Sequence, residues 1–450
     1  MGFCKAYDMR GTYGSDFDLG TVRAVGRAIP GFLGAKRVLV GRDARLTSPA
    51  VAAALVGGLE EAGAKVDYMG PCTTPMVYFF TAEDGYDASV MITASHNPPG
   101  DNGLKVSSKG ALPVAGTVFS EVCASAASGT GALPDIHPAP IADDPGERFL
   151  ARYLSWLKSQ RGAFDPSATK LKFAVDCSDG MAGLFARELF GGNVVYLNEI
   201  PDGRFPHHSP NPLEAKAREQ VSRTVRENGL DFGFIFDGDA DRVMVVDGKG
   251  EFIQPDYLIP VIASTFDEPG AKVIHDVRTS RGAIEAIREG GKMPLMGKVG
   301  HAFAKVLLRE SHAVCGGELA GHYYFRDFHF CDSAAFAALR MLSAFEGFKA
   351  AGLDIHSALK PVMGRYANSG EMNFKVADKA AATRRAIEAA SSFGREMGRE
   401  TMDGVRLEFE EGWVSIRESN TEPYLRLIVE CDSLGRLEAW RSKLVAAIKG

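Results

Sequence analysis

Three times along this chain an apolar, β-prone run gives way to a short polar turn and then to a helix-like stretch. A strand-turn-helix unit repeated in this way confines the chain to a serial α/β architecture. In the first unit Val38-Leu39-Val40 leads into Gly41-Arg42-Asp43-Ala44-Arg45. An Ala-rich helix follows from about Ser48 to Gly63, and then the strand-like Lys65 to Tyr68. In the second, Phe173-Ala174-Val175 leads to Asp176-Cys177-Ser178-Asp179-Gly180, a helix and Val194 to Leu197. In the third, Val273-Ile274 precedes His275-Asp276-Val277-Arg278-Thr279-Ser280 and a helix closed by Gly290-Gly291.

A length of 450 residues suits three or four domains, at about one per 100–200 residues. The Pro/Gly/Asp-rich stretch from Leu133 to Glu147 reads as a linker, and composition changes again between Pro361 and Gly370. Beyond it, Trp413 to Ile416 and Tyr424 to Val429 alternate as strands, and Leu434 to Ile448 reads as a closing amphipathic helix. The expected fold class is therefore α/β: three related α/β domains plus a smaller α+β C-terminal domain. The expected divisions are 1–145, 146–255, 256–364 and 365–450.

A net charge of -6 argues against a general affinity for nucleic acid or anionic membranes, so a phosphate ligand needs a local site. The seven cysteines are odd in number, scattered and never in a C-x-x-C arrangement. A reduced, cytoplasmic compartment fits them best. Met1 to Ala6 lacks the apolar core of a signal peptide and the Ser or Thr of a myristoylation signal. The longest apolar stretches, such as Ala50 to Leu59, are too short to cross a bilayer.

The run Ser89 to Ile92 delivers the chain into Thr93-Ala94-Ser95-His96-Asn97-Pro98-Pro99, where two prolines and an Asn prevent immediate helix formation. Ser95 is thereby placed on a loop at a strand end, where ligands gather in α/β domains. Read alone, the segment fits an ordinary Ser turn equally well. A hydrolytic serine would want a G-x-S-x-G elbow, which Ala94 and Asn97 do not supply. Downstream, Asp101-Asn102-Gly103 reads as a turn and Lys105 as a cation able to reach back to a phosphate on Ser95.

Phe232 to Phe236 ends in Asp237-Gly238-Asp239-Ala240-Asp241-Arg242, and a second strand from Val243 to Val246 follows directly. Three carboxylates so close repel one another, and a hard divalent cation, Mg²⁺ with one phosphate oxygen in its shell, resolves the repulsion. An EF-hand is excluded, because Arg242 and Gly248 stand where that loop needs Gly and Glu. An aspartyl-phosphate enzyme also opens with Asp-x-Asp, but a third aspartate suits metal binding better than a nucleophile.

Two more loops carry ligand chemistry. Arg417-Glu418-Ser419-Asn420-Thr421-Glu422-Pro423 combines a guanidinium, hydroxyls and an amide suited to cradling a phosphate. Gly316-Gly317-Glu318-Leu319-Ala320-Gly321-His322 follows a strand-like His312 to Cys315. Its glycines permit close approach to a ligand, Glu318 accepts from sugar hydroxyls and His322 donates. A tight structural turn is the equal alternative for this loop.

With these four segments in this order, the chain resembles the α-D-phosphohexomutase superfamily, in particular its bacterial phosphomannomutase/phosphoglucomutase branch, over essentially its whole length. The resemblance implies four domains around a central cleft, each contributing one loop: Thr93 to Pro98 for the phosphoserine, Asp237 to Arg242 for magnesium, Gly316 to His322 for the sugar and Arg417 to Pro423 for phosphate. It adds Tyr7, Arg10, Arg278 and His301 around the reacting sugar phosphate. Arg278 stands where many relatives have lysine, Ala320 where a serine is common, and Ala240 where a glycine is common.

The implied reaction interconverts hexose 6-phosphate and hexose 1-phosphate, for mannose and for glucose, through phospho-Ser95 and a hexose 1,6-bisphosphate. Ser95, Asp237, Asp239 and Asp241 would hold Mg²⁺; Arg10, Lys105 and Arg242 would neutralise charge; His96, Lys105 and His301 are candidates for proton transfer. Tyr7, Arg242, Arg278, Glu318, His322, Arg417, Ser419, Asn420 and Thr421 would bind the phosphosugar. The expected partner is a small phosphosugar only, the expected assembly a monomer or small homo-oligomer. A phosphoglucosamine mutase and a non-catalytic sugar-phosphate-binding protein are the alternatives.

Overall fold

The computed structural model describes residues 3–4, 8–114, 120–125, 147–418 and 424–450. The Leu133 to Glu147 linker therefore lies almost wholly outside the described residues.

The repeated pattern becomes three sheets of one topology. In the first, Arg37–Arg42 lies between the parallel strands Lys65–Pro71 and Ala88–Ile92, and Asp101–Ser108 then runs antiparallel to Ala88–Ile92. The second repeats this with Phe173–Asp176 between Val195–Leu197 and Phe232–Phe236, followed by Val243–Asp247. In the third, Lys272–Asp276 lies between Met293–Gly297 and Cys315–Gly317, followed by Tyr323–Phe325. The reversal from parallel to antiparallel strand occurs at the equivalent place each time. The three turns that make it contain Ser95, the aspartate triplet and Glu318.

The inner strands are covered on both faces, which is why Phe232–Phe236 carries no polar side chain, Ala88–Ile92 carries only Ser89, and both are buried at every position. Phe79, Tyr153, Phe173, Phe232, Phe236, Phe325 and Phe336 share one core that runs through all three units. Each such ring contributes about 1.5–3 kcal/mol on burial, so the three units are joined by apolar packing.

The fourth unit differs in kind. Its antiparallel sheet is built on Gly412–Glu418 and Tyr424–Cys431, with the helices Lys379–Ala390 and Leu434–Lys449 packed on it. That is the α+β arrangement expected. Its core of Leu407, Val414, Leu427, Trp440 and Leu444 is its own. It meets the third unit through polar contacts, Arg281 N to Glu430 Oε1 at 2.7 Å and Arg406 Nη1 to Val277 O at 2.7 Å, and a small apolar contact of Leu319 with Trp413 and Ile428.

Three local expectations are corrected. The third-unit strand begins at Cys315, not His312, which ends the preceding helix in a left-handed conformation. Gly316 and Gly317 belong to that strand, and a Cβ on Gly316 would lie 2.0 Å from Ile274 Cγ1, so this glycine serves strand packing and not ligand approach. Asp101 to Gly103 opens the strand Asp101–Ser108 and does not form a turn. The expectation of unpaired thiols also fails at one pair, because Cys4 and Cys123 form a disulfide across 119 residues of sequence, a proximity no spacing motif reveals. The other five cysteines are buried and free. Among the described residues no helix is long and apolar enough to cross a membrane.

Candidate active site

Ser95 sits at the first reversal with φ 51°, a left-handed conformation that costs an L-residue about 1–2 kcal/mol. Its amide donates to Thr93 Oγ1 at 2.8 Å. The hydroxyl donates to Asp237 Oδ2 at 2.8 Å and lies 3.2 Å from His96 Nδ1. The loop of the second unit comes this close because Gly238 has no side chain; a Cβ there would stand 2.6 Å from Ser95 O.

Asp237, Asp239 and Asp241 offer carboxylate oxygens all within 4.8 Å of one another, and all three are buried. Asp237 Oδ1 accepts from the backbone N–H of Asp241 and Arg242, which curls the loop inward. Ala240 completes the curl at φ 57°, a left-handed conformation that glycine adopts without steric cost. Lys105 Nζ lies 2.7 Å from Asp239 Oδ2 and 2.6 Å from Asp241 Oδ2, and Thr74 Oγ1 donates to Asp239 Oδ2 at 2.6 Å. The Oδ1 atoms of Asp239 and Asp241 are buried without a hydrogen-bond partner among the described residues. Unsatisfied buried carboxylate oxygens beside a third carboxylate and a serine hydroxyl fit a hard divalent cation.

The charges are unequal. Burial, reinforced by Asp241, pushes the Asp237 carboxyl up to about 7 despite Arg242, whose Nε donates to it at 3.0 Å. At Asp241 burial is outweighed by Lys105, then His322, and the carboxyl falls below the ordinary range. Burial opposes the Lys105 charge, but Asp239 and Asp241 overcome it and raise the ammonium's pKa. Burial, then Arg242 and Arg10, holds His96 well below the usual imidazole value. Arg10 itself is braced by Asp8 at 2.8 Å and Asn97 at 3.1 Å.

The third reversal joins this cluster through its backbone: Val243 N donates to Gly321 O at 3.2 Å. His322 Nδ1 lies 2.9 Å from Asp332 Oδ2 and 3.8 Å from Asp241 Oδ1, leaving the other ring nitrogen for a ligand. Glu318 accepts from Gly300 N at 2.7 Å, and burial raises its pKa. His301 follows Gly300, its ring 6.3 Å from that of His322; burial, then Lys305, takes it down to about 3. Arg278 is buried against Asp276, with Nη2 2.7 Å from Oδ2, and reaches Glu371 of the fourth unit at 3.4 Å.

Arg417 completes the ring. Its Nε lies 3.1 Å from Asp403 Oδ1, and Asp403 Oδ2 accepts from Val299 N at 2.9 Å, tying the fourth unit to the turn that leads into the helix opened by His301. Arg417 Nη1 is buried without a hydrogen-bond partner among the described residues, which suits an anion. Tyr7, Ser419, Asn420 and Thr421 lie outside the described residues. Every other expected site residue is drawn into this one region. Sequence reasoning missed Thr74, Asp332 and Asp403, whose single polar side chains carry no motif and acquire meaning only from the partner that each reaches in another segment.

Sequence models of all four domains of phosphoglucomutase/phosphomannomutase match the chain: α/β/α domain I over residues 3–131, domain II over 151–250, domain III over 254–366 and the C-terminal domain over 371–447. The chain belongs to the phosphoglucomutase/phosphomannomutase family. It is accordingly an enzyme, an isomerase of that family. It is 36% identical over 438 residues to the phosphomannomutase of Salmonella montevideo, covering 95% of this chain and 94% of the relative. It is 34% identical over 447 residues to that of Escherichia coli strain K12, with the same coverage. A crystal structure of a family protein from Burkholderia thailandensis superposes with a TM-score of 0.85 at 29% identity, covering 100% of this chain and 97% of the other.

Proposed function

We propose that this family member interconverts hexose 6-phosphate and hexose 1-phosphate, with mannose and glucose as the sugars, through phospho-Ser95 and a hexose 1,6-bisphosphate. The observation that carries the reading is the Ser95 hydroxyl 2.8 Å from Asp237 within a buried aspartate triplet, facing a polar loop of a third unit.

In the first half-reaction the bond from phosphorus to Ser95 Oγ breaks as a bond forms to the free O1 or O6 of the sugar, and the sugar hydroxyl gives up its proton. In the second, the other phosphoryl group leaves the sugar for Ser95 Oγ, and a proton returns to the sugar oxygen. A Mg²⁺ ion held by Asp237, Asp239 and Asp241 would neutralise charge on the transferring phosphoryl group. Lys105, held as an ammonium by two carboxylates, acts as a fixed charge with Arg10 and Arg242. The imidazoles of His96 and His301, whose burial favours the neutral form, are the candidates to accept the proton.

Glu318 and His322 are assigned to the sugar hydroxyls, with Arg278 beside them. Arg417, with Ser419, Asn420 and Thr421, is assigned to the phosphate distant from Ser95. Because one serine must reach both ends of the sugar, the bisphosphate turns around between transfers. The separate core of the fourth unit supports a movement that allows this. Mannose and glucose differ at one hydroxyl, so a site gripping the others accepts both.

A coupled steady-state assay with mannose 1-phosphate, glucose 1-phosphate and glucosamine 1-phosphate, each with Mg²⁺ and trace bisphosphate, tests the reading. Turnover of the first two is expected. Preference for glucosamine phosphate would reassign the sugar, and absence of turnover with all three would refute the mutase reading.

A further inference from the structure

Arg45 belongs to none of the four loops, yet its guanidinium is fully buried beneath Ser95. Its five N–H donors are all engaged. Nη2 donates to Ser95 O at 2.9 Å and Asn97 O at 2.7 Å, Nη1 to Pro98 O at 2.6 Å and Asp101 O at 2.8 Å, and Nε to Asp43 Oδ2 at 3.1 Å. Four inward-pointing carbonyls, three in the irregular serine loop and one at the start of the strand that follows it, thus accept from a single side chain. Only a planar fork with five donors can do this; lysine offers three donors from one point.

The fork is itself fixed. Asp43 also accepts from Arg45 N at 3.0 Å and from Ser48 Oγ at 2.6 Å, and Asn102 donates to Ser48 Oγ at 3.0 Å. On the other side the Phe205 ring of the second unit lies over the guanidinium at 5.2 Å, and it also stands near Gly238 in the aspartate loop. Arg45 is therefore clamped between the serine loop and the unit that carries the carboxylates.

We infer that Arg45 is a positioning residue for phosphoryl transfer: by gathering the carbonyls of Ser95, Asn97, Pro98 and Asp101 it holds the Ser95 oxygen in line with the aspartate triplet through both half-reactions. This deepens the mutase reading and rests on it. Arg45 lies beneath the serine loop and donates to its carbonyls and to Asp43, not to the aspartate triplet, so its loss acts on the transfer step while sugar-phosphate binding by Glu318, His322 and Arg417 persists. A reacting atom displaced by about 1 Å loses roughly 10²-fold in rate.

The test compares native chain, Arg45→Lys and Asp43→Asn, the last retaining the guanidinium should Arg45→Lys fail to fold. Amide hydrogen exchange is measured over residues 93–101 alongside kcat and KM for glucose 1-phosphate. Expected for Arg45→Lys are faster exchange confined to that loop, kcat lower by roughly 10²-fold and KM within about threefold. Asp43→Asn should shift both in the same direction to a smaller extent. Native-like exchange in the loop, or unchanged kcat in a folded variant, overturns the inference. Inactivity of the native chain would instead strike the mutase reading, and the exchange measurement still decides whether Arg45 holds the loop.

Discussion

The hydroxyl of Ser95 and the carboxylate of Asp237, 142 residues apart in sequence, meet at 2.8 Å because the equivalent strand reversals of two repeated units face each other. Gly238 makes the approach possible. Gly238→Ala would put a Cβ 2.6 Å from Ser95 O, so the two loops must separate. The expected outcome is a fall in kcat of roughly tenfold or more and a destabilisation of about 1–3 kcal/mol, read by steady-state kinetics and denaturant unfolding.

Chelation should abolish turnover, and added Mg²⁺ should restore it, without unfolding the protein. The Lys105 ammonium already neutralises Asp239 and Asp241 at 2.7 and 2.6 Å. Lys105→Met removes that charge and leaves buried carboxylates uncompensated, at a cost of about 3–5 kcal/mol. Its thermal midpoint should therefore fall much further in chelator than in Mg²⁺. Equal losses in both conditions would count against a cation among these aspartates.

Arg417 presents a buried Nη1 to the region facing the third unit. Arg417→Ala should raise KM for hexose phosphate by about 10- to 100-fold, the loss of a charge-assisted hydrogen bond worth about 1.5–3 kcal/mol. Unchanged KM and kcat would remove Arg417 from the phosphate site.

Asp256 offers a pH test away from the carboxylate triplet. One oxygen accepts from Ser280 N at 2.8 Å, the other is buried without a partner, and burial pushes the carboxyl up to about 6. The folded state thus holds this proton more tightly than the unfolded chain, whose carboxyl titrates near about 3.9. Folding stability is therefore undiminished below about pH 4 and declines as pH rises towards about 6. Asp256→Asn should raise the thermal midpoint at pH 7.5, by the equivalent of a few (about 3) kcal/mol at most, and the gain should vanish near pH 4.

Much of this was legible in the sequence because it depends on local order. Phe232 to Phe236 ending in Asp237-Gly238-Asp239-Ala240-Asp241 announces a buried strand feeding a charged loop, and the three-fold recurrence announces the sheets. What stayed hidden depends on partners far away in the chain. Thr74 matters through Asp239, Asp403 through Val299 and Arg417, and Cys4 through Cys123, and none of these pairs leaves a periodic or spaced signature. Gly316 misled for the opposite reason: a Gly pair beside polar residues looks like a ligand loop, whereas Ile274 on the neighbouring strand requires it.

The proposed mutase reaction requires that Ser95 carry the phosphoryl group. Native chain and Ser95→Ala are each incubated with glucose 1,6-bisphosphate and Mg²⁺, and intact mass and peptide mapping are read beside mutase turnover. A single phosphoryl group on Ser95 of the native chain, absent in Ser95→Ala together with nearly all turnover, is the predicted result. Phosphorylation elsewhere, or a Ser95→Ala variant that turns over at the native rate, would contradict it.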